Sequence, residues 1–147
     1  MRCDIRRLTE GDVAEVASLE AAARASAVDM RGGAVLVGAH PAVTHWEQHL
    51  HAGSTPVWVA VIDDLVAGFL ALEIDGGVAR VRQVFVHPDA RQLGLGEWLL
   101  DAAIAHASGM GCTAIEALAL PGDRETKNLY ERAGITARLL VLRRALP

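Results

Sequence analysis

Arg91-Gln92-Leu93-Gly94-Leu95-Gly96 holds two glycines one residue apart, directly before an apolar stretch of helical spacing (Leu95, Trp98, Leu99, Ala102). Glycine lets backbone approach a ligand without interference from a Cβ atom. The mouth of a helix adds unpaired N–H groups and the positive end of the helix dipole, a combination that binds phosphate. Glu97, in the first turn, suits the dipole but competes with a bound anion unless its side chain points away. The position where a dinucleotide fingerprint needs its third glycine is Leu99. A Walker loop ends in Gly-Lys-Ser/Thr, and the only lysine, Lys127, is far away. Ahead of the turn, Val84-Phe85-Val86 reads as a strand stopped by His87-Pro88.

The elements that position this turn follow from the pattern on either side. Arg2 to Leu8 reads as a strand, and Thr9 caps a helix running to about Ala25. Residues 26–41 stay unassigned, because Gly32-Gly33 breaks the pattern and Ala34 to Val37 suits a helical turn or a strand. Ala42 to Leu50 reads as a second helix. Strands follow at Pro56–Ile62, Leu65–Ile74 and Val78–Val86, joined by Asp63-Asp64 and Asp75-Gly76-Gly77 turns. The central helix stops at Gly109 and Gly111. Thr113 to Leu120 is a fifth strand, Asp123 caps a short helix ending near Ala133, and Thr136 to Arg143 is a last strand. The order β-α-α-β-β-β-α-β-α-β describes a single mixed-sheet α/β domain spanning residues 1–147.

Arg91-x-x-Gly94-x-Gly96 after a strand resembles the acyl-CoA-binding signature of the GNAT superfamily of N-acyltransferases, Gln/Arg-x-x-Gly-x-Gly/Ala. Asn128-Leu129-Tyr130-Glu131-Arg132-Ala133-Gly134-Ile135 is similar to the family's Leu-Tyr-Glu-x-x-Gly-Phe segment, and Val59 to Phe69 to its second and third strands. The resemblance implies a mostly antiparallel sheet whose fourth and fifth strands splay around the pantetheine arm. It implies an acetyl-CoA-dependent N-acetyltransferase, with acetyl-CoA as cosubstrate and no metal, acting by direct attack of an amine on the thioester. The alternative is a non-catalytic module that binds or senses CoA.

On that reading the backbone amides of Gln92, Leu93, Gly94, Leu95 and Gly96 take the pyrophosphate, and Phe85 and Val86 line the arm. The Val86 amide, by resemblance, polarises the acyl carbonyl. Arg91 either adds charge to a phosphate or pins the loop. Tyr130, the only tyrosine, falls on the family's tyrosine position and can donate to the departing thiolate, or it packs its helix on the sheet. Deprotonating an alkyl ammonium of pKa about 10.4 near pH 7 costs about 4.6 kcal/mol, so a base helps. Glu73, on the face of the third strand shared with Phe69 and Ala71, is the first candidate or else an exposed strand-end residue. Glu116 is the second, and a water chain the third. The place of the family's fourth-strand glutamate reads Ala79-Arg80-Val81-Arg82-Gln83. Asp123, Thr126 and Ile135 also depart from the family pattern.

His45 and His49 are i, i+4 with His51 behind, but Trp46 stands where a zincin helix needs glutamate, so the cluster reads as solvated or substrate-facing. A formal charge of −4, with arginines mostly single, gives no basic stripe for nucleic acid. No apolar run approaches a membrane span, and the charged start lacks a signal-peptide core, so the expected compartment is the cytoplasm. Cys3 and Cys112 make no metal or redox spacing. Arg138-Leu139-Leu140-Val141-Leu142 is too apolar for an open strand edge, and a homodimer is expected there. The acceptor, a small-molecule or peptide amine, is not specified by any motif.

Overall fold

The computed structural model describes residues 1–147. β1 (Cys3–Arg7) leads through a 3-10 turn at Glu10–Asp12 into α1 (Val13–Val28) and α2 (Gly33–Ala39). A second 3-10 turn at Trp46–His49 precedes β2 (Val57–Ile62), β3 (Leu65–Asp75) and β4 (Val78–Val86). A third such turn at Pro88–Ala90 leads to α3 (Leu95–Gly109), β5 (Ala114–Ala117) and α4 (Arg124–Arg132). The five strands lie in chain order, antiparallel from β1 to β4, with β5 parallel to β4. The mixed, mostly antiparallel α/β architecture is the one the sequence predicts.

Strand alternation divides the apolar residues between two cores. Val57, Val59, Val61, Phe69 and Ala71 pack against Val16 and Leu19 of α1. Their neighbours Trp58, Ala60, Leu70 and Leu72 turn the other way, onto Leu95, Leu99, Leu100 and Ala103 of α3. The β2–β3 connection turns on Asp63 and Asp64 at positive φ of 46° and 69°, the primed geometry that tight hairpins require. Apolar burial at both faces anchors the sheet, and helices on its two sides make it a layered α/β core.

Two expected elements differ. The second helix is not Ala42–Leu50 but α2, with only the 3-10 turn of Trp46–His49 in the expected range. The Glu20 carboxylate, buried on α1, accepts the Val43 amide at 3.1 and 3.3 Å and so ties the start of this segment to α1. α2 instead begins at Gly33, where an added Cβ would lie 1.7 Å from the Ala27 carbonyl oxygen; only glycine permits that approach. The last strand, Thr136–Arg143, is also not formed: this segment has no regular structure, and Leu139 to Leu142 are exposed. A strand needs a ladder partner for its backbone groups, and within one chain this segment has none.

Candidate active site

β4 and β5 pair only from Val78 to Val81 against Ala114 to Ala117. Beyond that point Val84, Phe85 and Val86 on one side, and Leu118, Ala119 and Leu120 on the other, line a shared cleft of about 1070 Å³. The resemblance anticipates this splay. His87 donates its amide to Ala67 of β3 at 2.7 Å, so alternation turns both polar groups of Val86 towards the opposite edge. Arg91 Nε donates to the Val86 carbonyl at 3.1 Å. The Val86 N–H points to the same edge, into the gap where strand pairing has ended.

The glycine turn sits beside this gap. Gly94 is the N-cap of α3 at φ 82°, and no side chain caps the helix, so the first-turn amides of Leu95, Gly96 and Glu97 stay open. Gln92 also adopts a left-handed φ of 70°, the conformation that favours glycine. Gln92, Gly94, Leu95 and Gly96 line the cleft, while the half-exposed Leu93 does not. The Leu95 side chain is buried in the core under the sheet, which frees its amide for the loop. An added Cβ at Gly96 would come within 3.3 Å of Leu129, so this glycine also lets α3 pack on α4. Glu97 is drawn off by Arg132 at 2.7 Å and so does not compete for an anion at the helix mouth.

Arg91 acts as a pin. Besides Val86, it reaches Glu125 at 2.9 Å and lies over the Phe85 ring at 5.4 Å, joining the strand end, the loop and α4. Asp123 and Thr126, which depart from the family pattern, explain one another. Asp123 accepts from the Thr126 amide at 3.1 Å and from its hydroxyl at 2.7 Å, capping α4. That helix carries Tyr130 into the cleft wall, nearly buried. Burial, and then the charge of Asp123, hold the Tyr130 phenol above its ordinary pKa, so it stays protonated at any ordinary pH.

Glu73 lines the other end of the cleft, half-exposed, with Arg82 Nε 3.7 Å away. Glu116, the second candidate base, lies outside the cleft and pairs with Arg80 at 3.3 Å. Of the histidines, His49 lines the cleft and its Nδ1 is within 3.0 Å of the Thr55 hydroxyl; His45 and His51 do not line it. Trp46 is a buried wall residue, packed edge-on against Phe69 and His49. No three His, Cys, Asp or Glu residues are gathered where they could hold a metal ion. No helix is long and apolar enough to cross a membrane. His40 and the Glu20–Gln83 contact at 2.6 Å escape sequence reading, because each depends on a fold that brings distant residues together.

A sheet parted at one end, a backbone amide facing the gap and a glycine-capped helix beside it form a receptor for a long arm ending in phosphate. Residues 24–135 match the model of the Acetyltransferase (GNAT) family, and the chain belongs to that family. It is thus an acetyltransferase that uses acetyl-CoA. A variant of the BH1408 protein from Bacillus halodurans has a similar fold, with a TM-score of 0.82 at 17% identity over 98% of this chain and 99% of the other. The aminoglycoside acetyltransferase AAC(6')-Iy, solved with a bisubstrate analogue of CoA, superposes at 0.70 and 20% identity, covering 99% of this chain and 100% of that one. A ribosomal-protein-alanine N-acetyltransferase from Brucella melitensis gives 0.69 at 21%, covering 99% of both chains. No protein of curated function matches the sequence.

Proposed function

We propose that this chain, as one domain over residues 1–147, transfers the acetyl group of acetyl-CoA to a primary amine by direct attack. The observation that carries the reading is the Val86 N–H turned into the gap between β4 and β5, beside the open amides of α3. The phosphates rest on the amides from Gln92 to Gly96, with Phe85 and the pinned Arg91 shaping the entrance. The thioester carbonyl accepts from Val86. The amine gives up a proton through a chain of waters that ends on Glu73, five residues along β3 from the partner of Val86, and forms the N–C bond. Negative charge builds on the carbonyl oxygen, where the Val86 donor stabilises it. The C–S bond then breaks and Tyr130 donates to the departing thiolate. Its raised pKa makes the phenol a reluctant giver of its proton, so its part is a hydrogen bond to the growing charge, with water completing the protonation.

Free-thiol release from acetyl-CoA in the presence of pooled amines tests the reading. Acceptor-dependent release is expected. Acetyl-CoA binding without release for any amine would leave a CoA-binding module instead.

The same proposal extends to assembly and place. Leu139 to Leu142 are each at least 80% exposed, an apolar run that a second copy covers in a homodimer. Cys3 and Cys112 are both free thiols, in keeping with a reducing cytoplasm.

A further inference from the structure

The acceptor end of the cleft carries a charge arrangement that acetyl-CoA binding does not require. Alternation along β3 puts Glu73 on the same face as Phe69 and Ala71, towards α1. On β4 the ladder passes from Leu72 opposite Val81 to Ala71 opposite Gln83, so Arg82 is the extra residue of a β-bulge. Val81, before it, packs in the core under α3; Gln83, after it, reaches Glu20 of α1. The bulge therefore turns Arg82 and Gln83 to one face, beside Glu73, and all three line the cleft.

Arg82 differs from Arg24 and Arg91, two other arginines of the cleft wall. Arg24 gives two of its donors to the carbonyls of His40 at 2.6 Å and Val37 at 3.2 Å, which ties it to the end of α2. Arg91 is engaged as described above. Arg82 meets His40 Nδ1 and only loosely Glu73, which leaves most of a five-donor fork open, at 36% exposure. Burial first, and then the charge of Arg82, lower the His40 pKa, so its ring is neutral and accepts from the guanidinium. One carboxylate, Glu73, thus stands at this end against two guanidinium groups, Arg24 and Arg82. An acceptor with several ammonium groups would find a single partner and two repelling charges. Leu36, Val37, Val43 and Trp46 supply an apolar wall next to the pair.

We infer that the acceptor is a free α-amino acid with an apolar side chain, its carboxylate on Arg82, its amine turned along β4 towards the thioester and its side chain against the α2 wall. A guanidinium fork suits a carboxylate in a bidentate geometry. The inference rests on the amine-acetylation reading above and deepens it.

The test compares leucine, methionine and phenylalanine with their decarboxylated amines, with leucinamide, and with spermidine and kanamycin, following thiol release and acetylated product. The amino acids are expected to have at least tenfold higher kcat/KM than their decarboxylated partners. Arg82→Gln should reduce that preference at least tenfold, while calorimetry shows acetyl-CoA still bound. Faster acetylation of spermidine, kanamycin or the decarboxylated amines would overturn the inference and leave the amine acetyltransferase standing. An unchanged preference in Arg82→Gln would overturn it too. Bound acetyl-CoA with no acceptor acetylated would reject both.

Discussion

At the scale of single residues, Tyr130 and the loop glycines carry separate tests. Tyr130→Phe keeps the ring that packs beside Leu129 and removes only the hydroxyl. If that hydroxyl stabilises the departing thiolate, kcat should fall on the order of a hundredfold with acetyl-CoA affinity nearly unchanged, as steady-state kinetics with calorimetry would show. A residue that merely packs would instead lose about 1 kcal/mol of stability and no turnover. Because its pKa is raised by burial, Tyr130 should add no ionisation to the rate profile between neutral and alkaline pH. In the loop, Gly94 at φ 82° tolerates no β-branched side chain without strain, so Gly94→Val should weaken acetyl-CoA binding roughly tenfold or more. Gln92→Ala keeps the backbone donor and should change affinity little. Equal losses at the two positions, measured by calorimetry, would show that side chains hold the phosphates.

At the scale of elements, the join between β1 and α1 depends on one buried carboxylate. Asp12 accepts from Arg6 at 2.6 and 3.0 Å and from the Thr9 amide and hydroxyl, both at 2.8 Å. Burial alone would raise its pKa, but the Arg6 and Thr9 hydrogen bonds and the Arg6 charge outweigh it, and the net shift is downward. A carboxyl depressed on folding stabilises the protein above its unfolded pKa near 4, and that contribution is lost as pH falls through the lower, folded value. Asp12→Asn should therefore destabilise by about 1–2 kcal/mol at pH 7, the discount reflecting a partly exposed Arg6. Denaturant titrations should show the gap between variant and parent narrowing below about pH 4. A constant gap down to pH 2 would remove the charge pair as the cause.

At the scale of the whole molecule, the exposed C-terminal segment carries the prediction about assembly. Leu139 to Leu142 leave the sheet uncovered at one end, and β5 is its short outer strand. Pairing of that segment with a second copy would bury the leucines and satisfy backbone groups together. Light scattering at micromolar concentration should give twice the 15.6 kDa chain mass, and deletion of residues 137–147 should give the single mass. A full-length chain of single mass would refute the pairing.

Much of this protein was determined by local chemistry. Apolar, β-forming runs broken by Asp63-Asp64 and Asp75-Gly76-Gly77 specify three antiparallel strands, and the glycines between Arg91 and Gly96 specify a turn into a helix with open amides. These signals are legible because each depends on neighbours a few residues apart. Tertiary structure alone decided where α2 begins, since Gly33 has meaning only against the Ala27 carbonyl, and that Glu20 of α1 takes the Val43 amide. It also decided that Arg91 ties the end of β4 to α4, that Glu116 lies outside the cleft, and that a bulge turns Arg82 beside Glu73. A slip of one residue in a ladder reverses which face a side chain takes, and nothing in the order Val81-Arg82-Gln83 records where that slip falls.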